Sequence, residues 1–220
     1  MQNNKFSSLP WFFTHFLAVL LISLALTLIR YPFFLNSDHF FGSDEGMLAS
    51  TILHLLNGGP IIFYFDFGRT FGLTFGLLAS PFIWTLGPTS LAFFAPGVLY
   101  YALYIWTTYL IAKILIPRSA YLILILMFFT PPFITSMTFH NWPHTLVAFF
   151  GNLIFLLFIK TKLSEKNIGP IIFALFFIMG LAIYTYTYSL IYILTISILY
   201  TLTHPLWNQV RENISIANAV

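Results

Sequence analysis

Four of the six acidic residues of this chain, Asp38, Asp44, Glu45 and Asp66, fall within residues 36–80. The same stretch holds His54 and Arg69, and Arg30 lies just before it. Carboxylates and imidazoles move protons, and guanidinium groups grip phosphate and carboxylate. The segments on either side are apolar enough to sit in lipid, so acids gathered between them need a reason. A site at the membrane surface supplies one. The chain has no cysteine, which excludes disulfides, Cys-ligated zinc and thiol nucleophiles.

The elements that must position these residues are membrane helices. The chain is 59% hydrophobic and only 7% charged, with a mean hydropathy of +0.89. Soluble domains carry about 25% charged residues, so an integral membrane protein with one polytopic domain is expected. The net charge of +3 is no nucleic-acid signal, because its cations stand singly at the ends of apolar runs, where they set topology.

Residues 11–29 read as the first span, an uncleaved signal anchor without a small-x-small cleavage site before Arg30. Further spans are expected at 89–112, 119–139, 145–159, 170–186 and 189–203. Residues 61–86 are apolar but carry Asp66, Arg69, three glycines and Pro81. If that segment does not cross, Lys5, Lys113, Arg118, Lys160, Lys162, Lys166 and Arg211 all fall inside and only Arg30 and Arg69 outside. That count obeys the positive-inside rule far better than the alternative. The expected fold is therefore an all-α, polytopic membrane helical bundle of about six spans. Both termini are cytoplasmic, at an inner or plasma membrane. Residues 30–88 form a first outer loop with interfacial or re-entrant helices, and residues 140–144 form a second.

Within the first loop, Ser43 and Asp44 offer an N-cap, and Asp44 with Glu45 place negative charge at the positive end of a helix dipole. Leu48, Ile52, Leu55 and Leu56 recur at helical spacing, which predicts a helix lying in the interface. Asn57, Gly58, Gly59 and Pro60 stop it. Gly68, Gly72, Gly76 and Ser80 then recur every four residues, a small-residue stripe suited to close packing.

A single span, a long outer loop with Asp-Glu opening an amphipathic helix, a Gly-rich turn and a short re-entrant helix ending in Leu86-Gly87 resemble the N-terminal module of the GT-C membrane glycosyltransferases. Bacterial aminoarabinose and mannosyl transferases are relatives of that kind. The resemblance covers roughly residues 11–203, and it matches the family's acid in the first outer loop to Asp44 or Glu45. It implies transfer of a sugar from a polyprenyl-phosphate donor to an acceptor on the outer face, with inversion at the sugar carbon. Asp44 then serves as general base, with Glu45 as its helper or a metal ligand. Arg69 is the first candidate for the departing phosphate, Arg30 the second, and Asp66 and His54 complete the candidate substrate site. Many members carry another acid after the third span, where this chain has His140, Asn141 and His144. His140 and His144 with nearby carboxylates are the candidate ligands of a divalent ion, and the cofactor is otherwise unspecified. Family enzymes continue through more spans and a soluble domain, so a truncated or minimal member, completed by a partner subunit, is expected.

Each feature has a competing structural role. Asp44 and Glu45 can simply cap a helix, Arg69 can snorkel to headgroups, and Arg30 can anchor the first span. Tyr184, Tyr186 and Tyr188 suit an interfacial belt. A lipid-linked sugar transporter or flippase would carry ionisable residues within its spans and internal repeats, and the spans show neither. A non-catalytic scaffold or partner subunit would be indifferent to loss of Asp44.

Overall fold

The computed structural model describes residues 11–60, 74–129, 143–163 and 168–203. Among them the chain is mostly helical, with no strand. Helix α1 spans Trp11–Ile29, α2 Tyr31–Leu35, α3 Ser43–Leu56, α4 Thr74–Leu86 and α5 Ser90–Leu115. Then come α6 (Ala120–Leu126), α7 (Pro143–Leu163), α8 (Ile168–Thr185) and α9 (Leu190–Thr203). Three stretches, Phe12–Ile29, Ser90–Leu115 and His144–Thr161, are long and apolar enough to cross a membrane. A membrane helical bundle follows from them. Helices α8 and α9 coincide closely with expected spans but are shorter apolar elements.

Helix α5 is the axis. Its N-cap Thr89 accepts a hydrogen bond from the Ala92 N–H at 3.3 Å, and Gly87 takes φ 73° in the turn from α4, a backbone region that favours glycine. Buried residues run along its length from Ala92 to Ala112. Helix α1 packs antiparallel to it: Ile22 and Leu26 join Val98, Tyr101, Ala102 and Ile105 in one core, and His15 meets Trp106.

Helix α7 packs parallel to α5. Leu146, Val147 and Phe150, early in α7, share a core with Ala92, Phe93 and Tyr100, early in α5. Midway, the Asn152 amide donates to Thr108 Oγ1 at 2.7 Å, to the Tyr104 carbonyl at 3.3 Å and to Thr107 Oγ1 at 3.4 Å. Lys113 and Lys160 mark the shared far end. Helix α8 returns antiparallel, bringing Tyr186 to within 5.2 Å of the His144 ring, and α9 runs back along α7. Gly151 permits that approach, since a Cβ there would meet Tyr192 Cδ1 at 2.8 Å.

Of the span expected over 119–139, Ala120–Leu126 is α-helix, followed by tight turns in which the Phe128 and Phe129 N–H groups donate to the carbonyls of Ile125 and Leu126, and residues 130–139 lie outside the described residues. His144 is not in a loop: Pro143 opens α7, its fixed φ suiting a first helical position, and His144 follows within the first turn. Helix α3 docks on the bundle through its apolar face. Leu48, Ala49 and Ile52 are buried against α4, α5, α7 and α8, so it plugs one end of the bundle. Of the small-residue stripe, Gly76 and Ser80 are buried on α4, beside Ala79 and Ile83 of the core, while Gly68 and Gly72 lie outside the described residues.

The clamp at Asn152 gives a stability prediction. Interhelical hydrogen bonds in membrane bundles contribute on the order of 1 kcal/mol, so Asn152→Ala should lower unfolding free energy by about that much. Unfolding of the purified chain by detergent titration checks this, and no loss would mean that α5 and α7 associate through apolar packing alone.

Candidate functional site

Helix α3 opens one residue earlier than the expected cap. Gly42 is its N-cap, with Ser43 the first helical residue and Asp44 the second. The Glu45 carboxylate reaches back and accepts the Gly42 N–H at 3.0 Å. This is half a capping box, since glycine has no side chain to return the bond. Glu45 therefore has a structural duty beside any other. His54 stands in the last turn, about 14 Å along the axis from Glu45 at roughly 1.5 Å per residue. Its exposed ring folds over the Gly59 turn, where an added Cβ would lie 2.3 Å from Nε2. The geometry thus separates His54 from the acidic turn. The Asp44 side chain, and Asp66, Arg69 and His140 entirely, lie outside the described residues.

A polar node ties this end to α5. Ser90 Oγ donates to Asp38 Oδ1 at 2.5 Å, and Ser37 Oγ lies 2.8 Å from Ser90 Oγ. The Asp38 carboxylate thereby faces the first turn of a 26-residue helix, where the dipole favours negative charge. The sequence alone assigned Asp38 no partner, and the available signal was the Thr89-Ser90 pair opening a long apolar helix. Phe41 seals the node from within, its ring 5.9 Å from Phe93 and 6.0 Å from Phe94.

Arg30 departs most from expectation. It follows α1, whose 19 residues span about 28 Å, close to the ~30 Å hydrocarbon thickness, so a membrane-crossing α1 would leave Arg30 at one edge of the hydrocarbon. An anchor would reach into water, yet Arg30 is 3% exposed. Its guanidinium carbon lies 4.8 Å from the Tyr101 ring centroid, and Nη1 is buried without a hydrogen-bond partner among the described residues. The Tyr101 hydroxyl is already engaged, donating to the Met127 carbonyl at 2.8 Å. A cation–π contact returns about 0.5–2 kcal/mol, against several kcal/mol for removing a charge from water. Burial accordingly lowers the guanidinium to about 10, with Tyr101 opposing part of the shift, and the group stays charged at neutral pH. A buried charge with spare donor capacity is a functional-site signal. The chemistry it suits is an anion with a planar or tetrahedral oxygen face.

The His144 ring packs edge-on against Tyr186, at 79° between planes, and Tyr186 packs against Tyr188. Among the described residues no group of three or more His, Asp and Glu comes together in a way that could hold a metal ion. The tyrosine cluster at the end of α8 is thus partly internal packing: Tyr186 is buried and Tyr188 exposed.

If Arg30 is retained for binding rather than for stability, Arg30→Met should leave the thermal midpoint in detergent unchanged or raised, because an apolar side chain of similar length removes the charge-burial cost. A loss of more than about 2 kcal/mol would instead mark Arg30 as a structural strut. No protein-family model, curated protein or solved structure matches the chain.

Proposed function

We propose that this chain is a GT-C-like membrane glycosyltransferase module, six-spanning with both termini cytoplasmic in an inner or plasma membrane. It moves a sugar from a polyprenyl-phosphate donor to an acceptor on the outer face. The observation that carries this reading is Arg30, a nearly buried cation whose Nη1 has no hydrogen-bond partner among the described residues, placed by the length of α1 at the hydrocarbon boundary, where a lipid-linked phosphate resides. The acid-opened helix α3 docked on the same end of the bundle supports it. So does the parallel course of α5 and α7, which sends Lys113 and Lys160 to the opposite end, as the positive-inside count requires.

In this mechanism the acceptor hydroxyl attacks the anomeric carbon from the face opposite the phosphate. The new C–O bond forms as the bond to phosphate oxygen breaks, and its electron pair leaves with the lipid phosphate. Asp44 takes the hydroxyl proton as general base. Glu45 orders the turn that carries Asp44 through its bond to Gly42. Arg30 receives the charge that develops on the departing phosphate, a duty Arg69 shares or assumes. Asp66 and His54 are left to contact the sugar or acceptor. His140 and His144 are the candidate ligands should the reaction use a divalent ion.

Membranes containing the chain should transfer label from a pool of polyprenyl-phosphate sugars, and Asp44→Asn should reduce that transfer about a hundredfold or more. Arg30→Met should reduce it as well while the protein stays folded. Silence of the folded, inserted wild type with every donor would contradict the reading, and full activity of Asp44→Asn would remove the base from it.

A further inference from the structure

A groove of about 1520 Å³ runs along the face of the bundle between α1 and α7, with α5 as its floor. Leu20 of α1, Leu103 of α5 and Leu157 of α7 are among its walls, and exposed rings of α1 such as Phe16 form its open edge. Leu91 and Lys113, both lining it, are separated by about 33 Å of helix at roughly 1.5 Å per residue. That is the thickness of a bilayer's hydrocarbon core. The groove therefore traverses both leaflets, and its occupant is governed by what stands at each end.

The two ends differ in kind. At one end Tyr31, Phe34 and Leu86 line it, and no charged group does among the described residues. At the other, Lys113 from the last turn of α5 and Lys160 from the penultimate turn of α7 line the same mouth, beside Pro117. Both lysines are exposed. Parallel packing alone brings them together, since they belong to helices that are not consecutive in the chain. Above them the wall is mainly apolar, with His15 and Thr107 among its few polar residues, and Trp106 Nε1 spends its donor on His15 Nδ1 at 3.1 Å. The half of this groove nearest the lysines, about one leaflet deep and mainly apolar, opens between two ammonium groups and matches one ligand class in charge and shape.

We propose that the lysine end of this groove is a binding site for an anionic glycerophospholipid of the inner leaflet. Its phosphate lies between Lys113 and Lys160 and its acyl chains follow α5 toward Leu103. The lipid fills the gap between α1 and α7 and ties the weakly packed first helix to the bundle. The site stands apart from sugar transfer, because it uses neither Arg30 nor any residue of the α3 end.

The test is native mass spectrometry of the purified full chain in detergent, titrated with phosphatidylglycerol or phosphatidylcholine of matched acyl chains. The wild type should retain phosphatidylglycerol about tenfold or more over phosphatidylcholine, the factor that two lysines near a phosphate supply. The double variant Lys113→Gln with Lys160→Gln should lose that preference. Arg118→Gln, which removes an exposed cation at the same end that does not line the groove, should keep it. Equal retention of the two lipids, an unchanged preference in the double variant, or an equal loss in Arg118→Gln would each overturn the site. Displacement of phosphatidylglycerol by an equimolar polyprenyl phosphate, or a dimer that excludes both lipids, would assign the groove to another occupant and overturn it too.

Discussion

The parallel pairing of α5 and α7 is the constraint on which the rest of the bundle depends. In hydrocarbon there is no water to satisfy a stray amide, so Asn152 must find its partners on the neighbouring helix, and Tyr104, Thr107 and Thr108 supply them within one turn. That contact fixes register as well as proximity. Sliding α7 by a turn would strand the amide and separate Lys160 from Lys113. With register set, α1 lies antiparallel on one flank of α5, α8 lies antiparallel on α7, and α3 and α4 close the end where Ser90 begins.

From that arrangement come two ends of opposite chemistry. One gathers Asp38, Glu45, the Ser37–Ser90 node and the buried Arg30. The other carries Lys113, Arg118 and Lys160, all exposed. The contrast between the arginine and the lysines is informative. The lysines keep their charge in contact with solvent at little cost, as snorkelling side chains do. Arg30 is buried over Tyr101, where its charge is only partly compensated. Such a group persists because something binds to it or because the surrounding packing has no alternative. The proposed transferase function rests on the first of these.

Much of the fold was legible in the sequence because hydropathy is a strong signal over long windows. The spans expected at 11–29, 89–112 and 145–159 coincide closely with α1, α5 and α7. Asn57-Gly58-Gly59-Pro60 stops α3, with Leu56 its last residue and Gly58 at φ 84°. What was not legible depends on tertiary partners. The amphipathic pattern of α3 is the same for a helix on a bilayer surface and for one docked on a bundle, and only the neighbours of Leu48 and Ile52 distinguish them. A lone arginine at the end of a span looks like an anchor until it is seen buried over the Tyr101 ring. The half capping box escaped because the cap residue is Gly42, which carries no side-chain signature. The groove was equally invisible, since it belongs to three helices together.

The claim underlying the whole account is that these two ends face opposite sides of the membrane, with the acids outside and the lysines inside. The chain contains no cysteine, so single substitutions report cleanly. Asn57→Cys at the end of α3 and Arg118→Cys beyond α5 both sit at exposed positions. Treated with a membrane-impermeant maleimide, intact cells should label the first variant at once and the second only after permeabilisation. Labelling of both from the same side, or the reverse order, would contradict the assignment of an outer catalytic end and an inner lipid-binding end.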